Sequence, residues 1–424
     1  MRMKRLKSYL PIALITAFAL ILRLWKLNQP KGYVFDEVYY AKNANSLINH
    51  GVELNSTNQA EFVVHPPLGK WLIGIGIKLF GNNEFGWRIS AAIIGSAAII
   101  LIYLIAQQLF NSYLLSNIAA GLLALDGLNL VMSRVALLDI FLMFFILLAT
   151  YFLLRNQYWL TGVAIGAASS VKWSGAYLIP IFLLFSINFV RKGMAKQAIL
   201  RFSQFTLLPI FTYLSTWSGW LFTNNGWDRN WAATQSNSFV PAVLRNLWHY
   251  HSEILNFHTG LHDKHSYSAN PWSWLILGRP TSFYYQSTTG CKATTCAQEI
   301  LAIGTPILWW AATISLVVTI GFWLNKRDQI STLILAGVAA TYLPWFLFQD
   351  RTMFYFYAIT ISPFLILSVV YVISKLLNSG IKRELIYLFI LLTFINFIYF
   401  LPIFTGLNIP YSSWLNRMWL PSWI

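Results

Sequence analysis

Of the 424 residues only 10% are charged, whereas 57% are hydrophobic and 17% aromatic, and the formal net charge is +16. A soluble chain of this length carries about 25% charged residues to cover its surface, which excludes an ordinary soluble protein; the mean hydropathy of +0.56 agrees. The basic residues stand between hydrophobic runs rather than on a polar fold, which argues against nucleic acid as a partner and for membrane lipid.

Crossing a hydrocarbon core of about 30 Å takes roughly 20 apolar residues. Windows of that kind predict eleven spans, at 8–26, 86–110, 113–133, 136–154, 158–172, 174–190, 201–221, 300–324, 330–348, 354–377 and 385–406. The first follows Met1-Arg-Met-Lys-Arg-Leu-Lys7 and has the look of a signal peptide. No small-residue cleavage site precedes Asn28-Gln-Pro-Lys31, so a retained helix is expected. With the amino terminus cytoplasmic, Arg2–Lys7, Arg155, Arg191–Arg201, Lys326-Arg327 and Lys375–Arg383 all fall inside, as the positive-inside bias requires. Residues 408–424 then lie outside. The expected fold class is an all-α polytopic membrane bundle forming one unit over residues 1–424.

Two outer loops exceed turn length, 27–85 and 222–299. The first contains the apolar run Leu68–Phe80, too short to span and read as an interfacial amphipathic helix. The second contains the only cysteines, in Cys291-Lys-Ala-Thr-Thr-Cys296. Its outer location puts them in an oxidising compartment, where a disulfide is expected. A zinc site needs more ligands than this pair provides, and the nearby His249, His251, His258, His262 and His265 are expected to hydrogen-bond rather than bind metal. No internal repeat supports an inverted-repeat transporter.

Ionisable groups at membrane depth cost several kcal/mol and mark function by default. Arg23 closes the first span, Asp36-Glu37 and His65-Pro-Pro-Leu-Gly-Lys70 follow in the first loop, and Arg88 opens the second span. Asp126 lies about two turns below the outer end of the third span, Arg134 and Asp139 flank the next outer turn, Lys172-Trp173 the one after, and Asp350-Arg351 begin the tenth span. All gather toward one face, whereas a transporter or flippase would carry them through the midplane. Carboxylates beside cations at headgroup depth suit attack by a hydroxyl on a lipid-linked phosphate donor: an acid takes the proton while Arg and Lys neutralise the departing phosphate. Arg134/Asp139 reads equally as a helix-end salt bridge. His65-Pro-Pro-Leu-Gly can set a rigid entry to the interfacial helix as well as contact substrate. The tryptophans around the second loop (Trp217, Trp220, Trp227, Trp231, Trp272 and Trp274) are mostly interfacial, a minority being expected near substrate.

At these motifs the chain resembles the protein O-mannosyltransferases, membrane glycosyltransferases of the GT-C class (glycosyltransferase family 39). The matching segments are Phe35-Asp-Glu-Val-Tyr-Tyr-Ala-Lys42, His65-Pro-Pro-Leu-Gly-Lys70, Ser133-Arg-Val-Ala-Leu-Leu-Asp139, Lys172-Trp-Ser-Gly175, Pro271-Trp-Ser-Trp274, Arg279-Pro-Thr-Ser-Phe-Tyr-Tyr285, Gly304-Thr-Pro306 and Arg351-Thr-Met-Phe-Tyr-Phe-Tyr357, in family order. The resemblance implies a GT-C bundle of about eleven spans, and transfer of mannose from a polyprenyl-phosphate carrier to Ser or Thr hydroxyls with inversion. It implies Asp36 as base and Glu37 as its helper or an acceptor contact. Arg88, Arg134, Asp139, Lys172 and Arg351 become candidates for the donor's phosphate or sugar, with Arg23, His65, Lys70, Asp126 and Trp173 in support. No metal or other cofactor is expected. The second loop is too short for the β-trefoil (MIR) insert of eukaryotic members, which points to the bacterial branch. The corresponding expectations are a plasma-membrane enzyme, an extracytoplasmic active site, and acceptor proteins met during export, near the secretion channel. A GT-C enzyme glycosylating a lipid or cell-wall glycan is the alternative.

Overall fold

A computed structural model describes residues 2–236 and 238–424. It is built of helices α1 (Arg2–Leu24), α2 (Glu37–His50), α3 (Leu68–Phe80), α4 (Glu84–Phe110), α5 (Tyr113–Ala124), α6 (Gly127–Met132), α7 (Asp139–Leu154), α8 (Tyr158–Val171) and α9 (Leu178–Arg191). There follow α10 (Ala195–Phe202), α11 (Leu208–Thr216), α12 (Ser218–Phe222), α13 (Ala242–Gly260), α14 (Pro306–Lys326), α15 (Gln329–Tyr342), α16 (Ser362–Asn378) and α17 (Arg383–Thr405). Four helical stretches, Glu84–Phe110, Pro306–Lys326, Gln329–Phe348 and Arg383–Thr405, are individually long and apolar enough to cross a membrane. Large exposed side chains such as Leu14, Ile21, Ile314, Val317, Leu388 and Ile395 line the outside of the bundle, where lipid is the natural solvent.

The third predicted span is two helices, α5 and α6, interrupted at Asp126. An open backbone at that depth needs partners. Thr305 supplies them, its hydroxyl donating to Leu125 O (2.6 Å) and accepting from Gly127 N–H (3.0 Å). The Asp126 carboxylate caps α6 through Leu128 N–H and accepts from Trp309 Nε1 (2.9 Å) and Ser362 Oγ (2.6 Å). Asp126 therefore knots α6 to α14 and α16. The seventh span runs α10–α11 through a π-turn at Ser203–Leu207. Gly162 of α8 permits that approach, because a Cβ there would lie 2.0 Å from the Gln204 carbonyl.

The eighth predicted span begins too early. Residues 296–302 form strand β2, pairing antiparallel with β1 (Thr281–Thr288) on one side and β3 (Asn408–Pro410) on the other. A strand buried on both faces reads as an apolar run, indistinguishable by composition from the start of a helix; Gly304-Thr305 then breaks the chain before α14. Cys291 and Cys296 are joined in a disulfide at the β1–β2 turn. Since β3 and the Arg279 contact with the Ile424 carbonyl (2.7 Å) bring the carboxyl-terminal segment onto the second loop, both lie at one end of the bundle.

Candidate active site

Asp36 and Glu37 are adjacent, yet their carboxylates meet opposite surroundings. Phe35 adopts a left-handed backbone (φ +50°), unusual for a bulky residue. Its ring is held by Phe283 (centroids 4.8 Å apart) and by the edges of Phe354 and Phe356. Glu37 is fully buried. It accepts Arg88 Nε and Nη2 at 2.7 and 2.8 Å, together with the N–H groups of Val34 (2.8 Å) and Ala136 (2.9 Å). Arg88 also donates to the carbonyls of Leu27, Pro30 and Gly32 at 3.1–3.2 Å. Both groups are saturated. Engaged in this way, the pair fastens the first loop to α4 and to the turn before α7.

Asp36 begins α2 without capping it, and its carboxylate has no hydrogen-bond partner among the described residues. Burial raises its pKa to about 6; the charge on nearby Lys172 pulls it down and that on Asp139 pushes it up. Asp139, the first residue of α7, takes Lys172 Nζ on both oxygens at 3.0 and 2.8 Å. Lys172 follows the last residue of α8, and its ammonium also stands 4.9 Å from the Tyr357 ring centre.

The anticipated Arg134–Asp139 bridge is thus absent. Arg134 instead donates to the carbonyls of Leu22 (2.7 Å), Arg23 (3.1 Å) and Trp25 (2.8 Å), closing the carboxyl end of α1 where those carbonyls lack helical partners. All three bonds use Nη1. Arg23 is equally enclosed, bonded to Ala19 O (3.0 Å) and Asn129 Oδ1 (2.5 Å). Lys70 pairs with Glu53 (2.5 Å) and donates to His65 O (3.0 Å), which fixes the His-Pro-Pro turn against α3.

Of the expected cations, Lys172 and Arg351 alone line the main cleft on this side. It has a volume of about 120 Å³, and His65, Trp173, His258 and Tyr357 also line it. Arg351 Nη2 lies 3.1 Å from His258 Nδ1, and His258 Nε2 lies 2.9 Å from the Val64 carbonyl. A carbonyl only accepts, so Nε2 carries the proton, Nδ1 accepts from Arg351, and the ring is neutral. Burial and the Arg351 charge, which lower the His258 pKa to about 4, favour the same state. His65, with its ring centre 5.2 Å from that of His258, is likewise held well below the usual histidine range by burial and Lys172. Arg351 Nε is buried without a partner. Trp173 is fixed by a relay: its indole N–H donates to Tyr213 Oη (3.0 Å), which meets His251 Nε2 (2.8 Å), while His251 Nδ1 bonds Leu247 O (2.8 Å).

Glu53 and Tyr213 were not singled out from the sequence, Tyr357 entered only as the end of a matching segment, and His258 only as one of a loop cluster. One signal was available: His251 and His258 are seven residues apart, hence on one face of α13. His249 is off that face and pairs with Asp228 (2.9 Å).

The family profile described as dolichyl-phosphate-mannose-protein mannosyltransferase matches residues 13–224, and that for the C-terminal four-helix membrane region of protein O-mannosyltransferase matches 243–423. A polyprenol-phosphate-mannose–protein mannosyltransferase of Mycobacterium tuberculosis is 33% identical, over 99% of this chain and 92% of its own length. That of Mycolicibacterium smegmatis is 32% identical over 99% and 93%. Among solved structures, the Saccharomyces cerevisiae Pmt1–Pmt2 protein O-mannosyltransferase complex bound to its sugar donor superposes with a TM-score of 0.81 at 17% identity, covering 99% of this chain and 93% of that one. ArnT of Cupriavidus metallidurans bound to undecaprenyl phosphate gives 0.58 at 14% identity, over 92% and 70%. These last two likenesses show the GT-C fold.

Proposed function

The chain belongs to the dolichyl-phosphate-mannose–protein mannosyltransferase family and transfers mannose from a polyprenyl-phosphate carrier to protein, and from that premise we propose how its residues divide the work. Asp36 is the general base. The observation that carries this reading is its unpartnered carboxylate beside the Asp139–Lys172 pair, while its neighbour Glu37 is consumed by Arg88. A pKa of about 6 leaves Asp36 ionised near neutrality yet basic enough to take a proton in the transition state.

The acceptor is a Ser or Thr hydroxyl. Its oxygen attacks the anomeric carbon, the bond from that carbon to the phosphate oxygen breaks, the hydroxyl proton passes to Asp36, and the configuration inverts. The released phosphate stays in the cleft between Lys172 and Arg351. Asp139 orients Lys172 and holds its charge, and neutral His258 holds Arg351, so neither cation must reorganise as negative charge develops on the leaving oxygen. Trp173, fixed by its relay, forms a wall of that cleft. The site faces the extracytoplasmic side, where proteins are met as they are exported; the basic segments at the opposite end of the bundle support that orientation.

Purified enzyme given radiolabelled polyprenyl-phosphate mannose, a Ser/Thr-containing peptide and membrane lipid tests the acceptor. Label in the peptide, released by β-elimination, is the expected result. Label confined to lipid or glycan would replace this reading.

A further inference from the structure

A large cavity lies at the end of the bundle opposite Asp36. It has a volume of about 760 Å³ and opens among the α4–α5, α7–α8, α9–α10 and α14–α15 turns. Its polar wall carries Lys192, Arg201 and Arg327, with the amides of Gln108, Asn156 and Gln329 and no carboxylate. Arg201 is held over the Tyr158 ring at 3.5 Å and bonded to Gln204 at 2.5 Å. Two basic segments distant in sequence, Lys192 to Arg201 across the start of α10 and Arg327 between α14 and α15, thus converge here. Membrane orientation alone asks only that such residues lie on one side of the bilayer, not that they share a cavity.

The rest of the wall is apolar, including Leu153, Phe205 and Leu333. Leu153 and Leu333 also line a second, almost wholly apolar slot with Phe182, Ala336, Gly337 and Phe364, so the slot shares a wall with the basic cavity. A cationic cavity beside a narrow apolar slot matches a phosphate-bearing head joined to a hydrocarbon chain. A free anion would gain nothing from the slot, and a neutral lipid nothing from the cations.

We propose that this cavity is a second lipid site, taking the phosphate headgroup and one acyl chain of an anionic phospholipid from the membrane leaflet opposite Asp36. Cations beside an anionic headgroup contribute independently of the transfer chemistry, so occupancy stabilises the turns that join α7–α10 and α14–α15.

The test is native mass spectrometry of the full-length protein released from nanodiscs containing phosphatidylglycerol or phosphatidylcholine. Phosphatidylglycerol should stay bound and phosphatidylcholine should not. Neutralising both flanking cations in Lys192→Gln/Arg327→Gln should weaken phosphatidylglycerol retention about thirtyfold, and Leu154→Trp, which crowds the apolar wall, should weaken it with the charge intact. Melting curves and basal mannosyl transfer, both expected unchanged for the double variant in neutral detergent, certify its fold. Equal retention of the two lipids, unaltered binding by the double variant, or displacement of the lipid by millimolar inorganic phosphate would each overturn the proposal.

Discussion

Glu37 and Arg88 hold each other in a bidentate, fully buried pair at 2.7 and 2.8 Å, which leaves Asp36 as the only acid of the adjacent two that is free to act on a ligand. The division is enforced by backbone: the left-handed Phe35 sets the turn, Glu37 N–H donates to the Val34 carbonyl, and its carboxylate accepts from Val34 N–H and Ala136 N–H.

Removing one partner of such a pair strands a buried charge, at about 3–5 kcal/mol. Glu37→Ala should therefore melt well below the parent or fail to accumulate. Glu37→Ala/Arg88→Ala should be no worse than either single change, since no charge is left alone. Thermal unfolding of the four proteins in detergent checks this; additive losses would contradict it.

Arg351 and His258 should act on donor affinity rather than on the fold. Arg351→Gln removes a charge-assisted contact worth about 1.5–3 kcal/mol, so the KM for the lipid donor should rise roughly 10- to 100-fold. His258→Phe should raise it less, because the arginine stays but loses its tether. Arg134→Gln should do the reverse, lowering the melting point through the uncapped end of α1 while leaving KM unchanged. Initial rates against donor concentration separate the two classes.

This contrast marks the border of what the sequence made legible. A helical membrane bundle and the gathering of charge toward one end follow from hydropathy and motif position, and the structure has both, with four helical stretches among the described residues individually long and apolar enough to cross. The partner of each charge did not follow. Arg134 and Asp139 are five residues apart and looked paired, but a carboxylate at the start of α7 meets the lysine at the end of α8, and the arginine meets α1. Such choices depend on helix packing between residues up to 112 positions apart. The early start given to the eighth span had another cause: the apolar residues 300–302 with which it opens are the end of strand Cys296–Ala302, too short a run for any period to mark it as strand.

Two pH limbs should separate. Transfer requires ionised Asp36, so the rate should fall as pH drops through about 6. Stability should fall lower. His258 titrates near 4 when folded against about 6.5 when unfolded, so the unfolded chain binds more protons between those values. The stability it contributes is complete above about 6.5 and lost progressively as pH falls through 4. Rates and melting points measured from pH 4 to 8 check this: a melting point that collapsed together with activity near pH 6 would show that unfolding, not Asp36, sets the limb.

The central claim is that Asp36 takes the acceptor's proton. Transfer of radiolabelled mannose from the polyprenyl-phosphate donor to a Ser/Thr peptide by purified Asp36→Asn tests it most directly. Because burial makes the ionised carboxylate costly, the variant should melt no lower than the parent at pH 7.5. Its donor affinity should persist, and its rate should drop by about 10²–10⁴, the usual worth of a general base. A folded, donor-binding Asp36→Asn enzyme that transferred mannose at the parent rate would contradict the account.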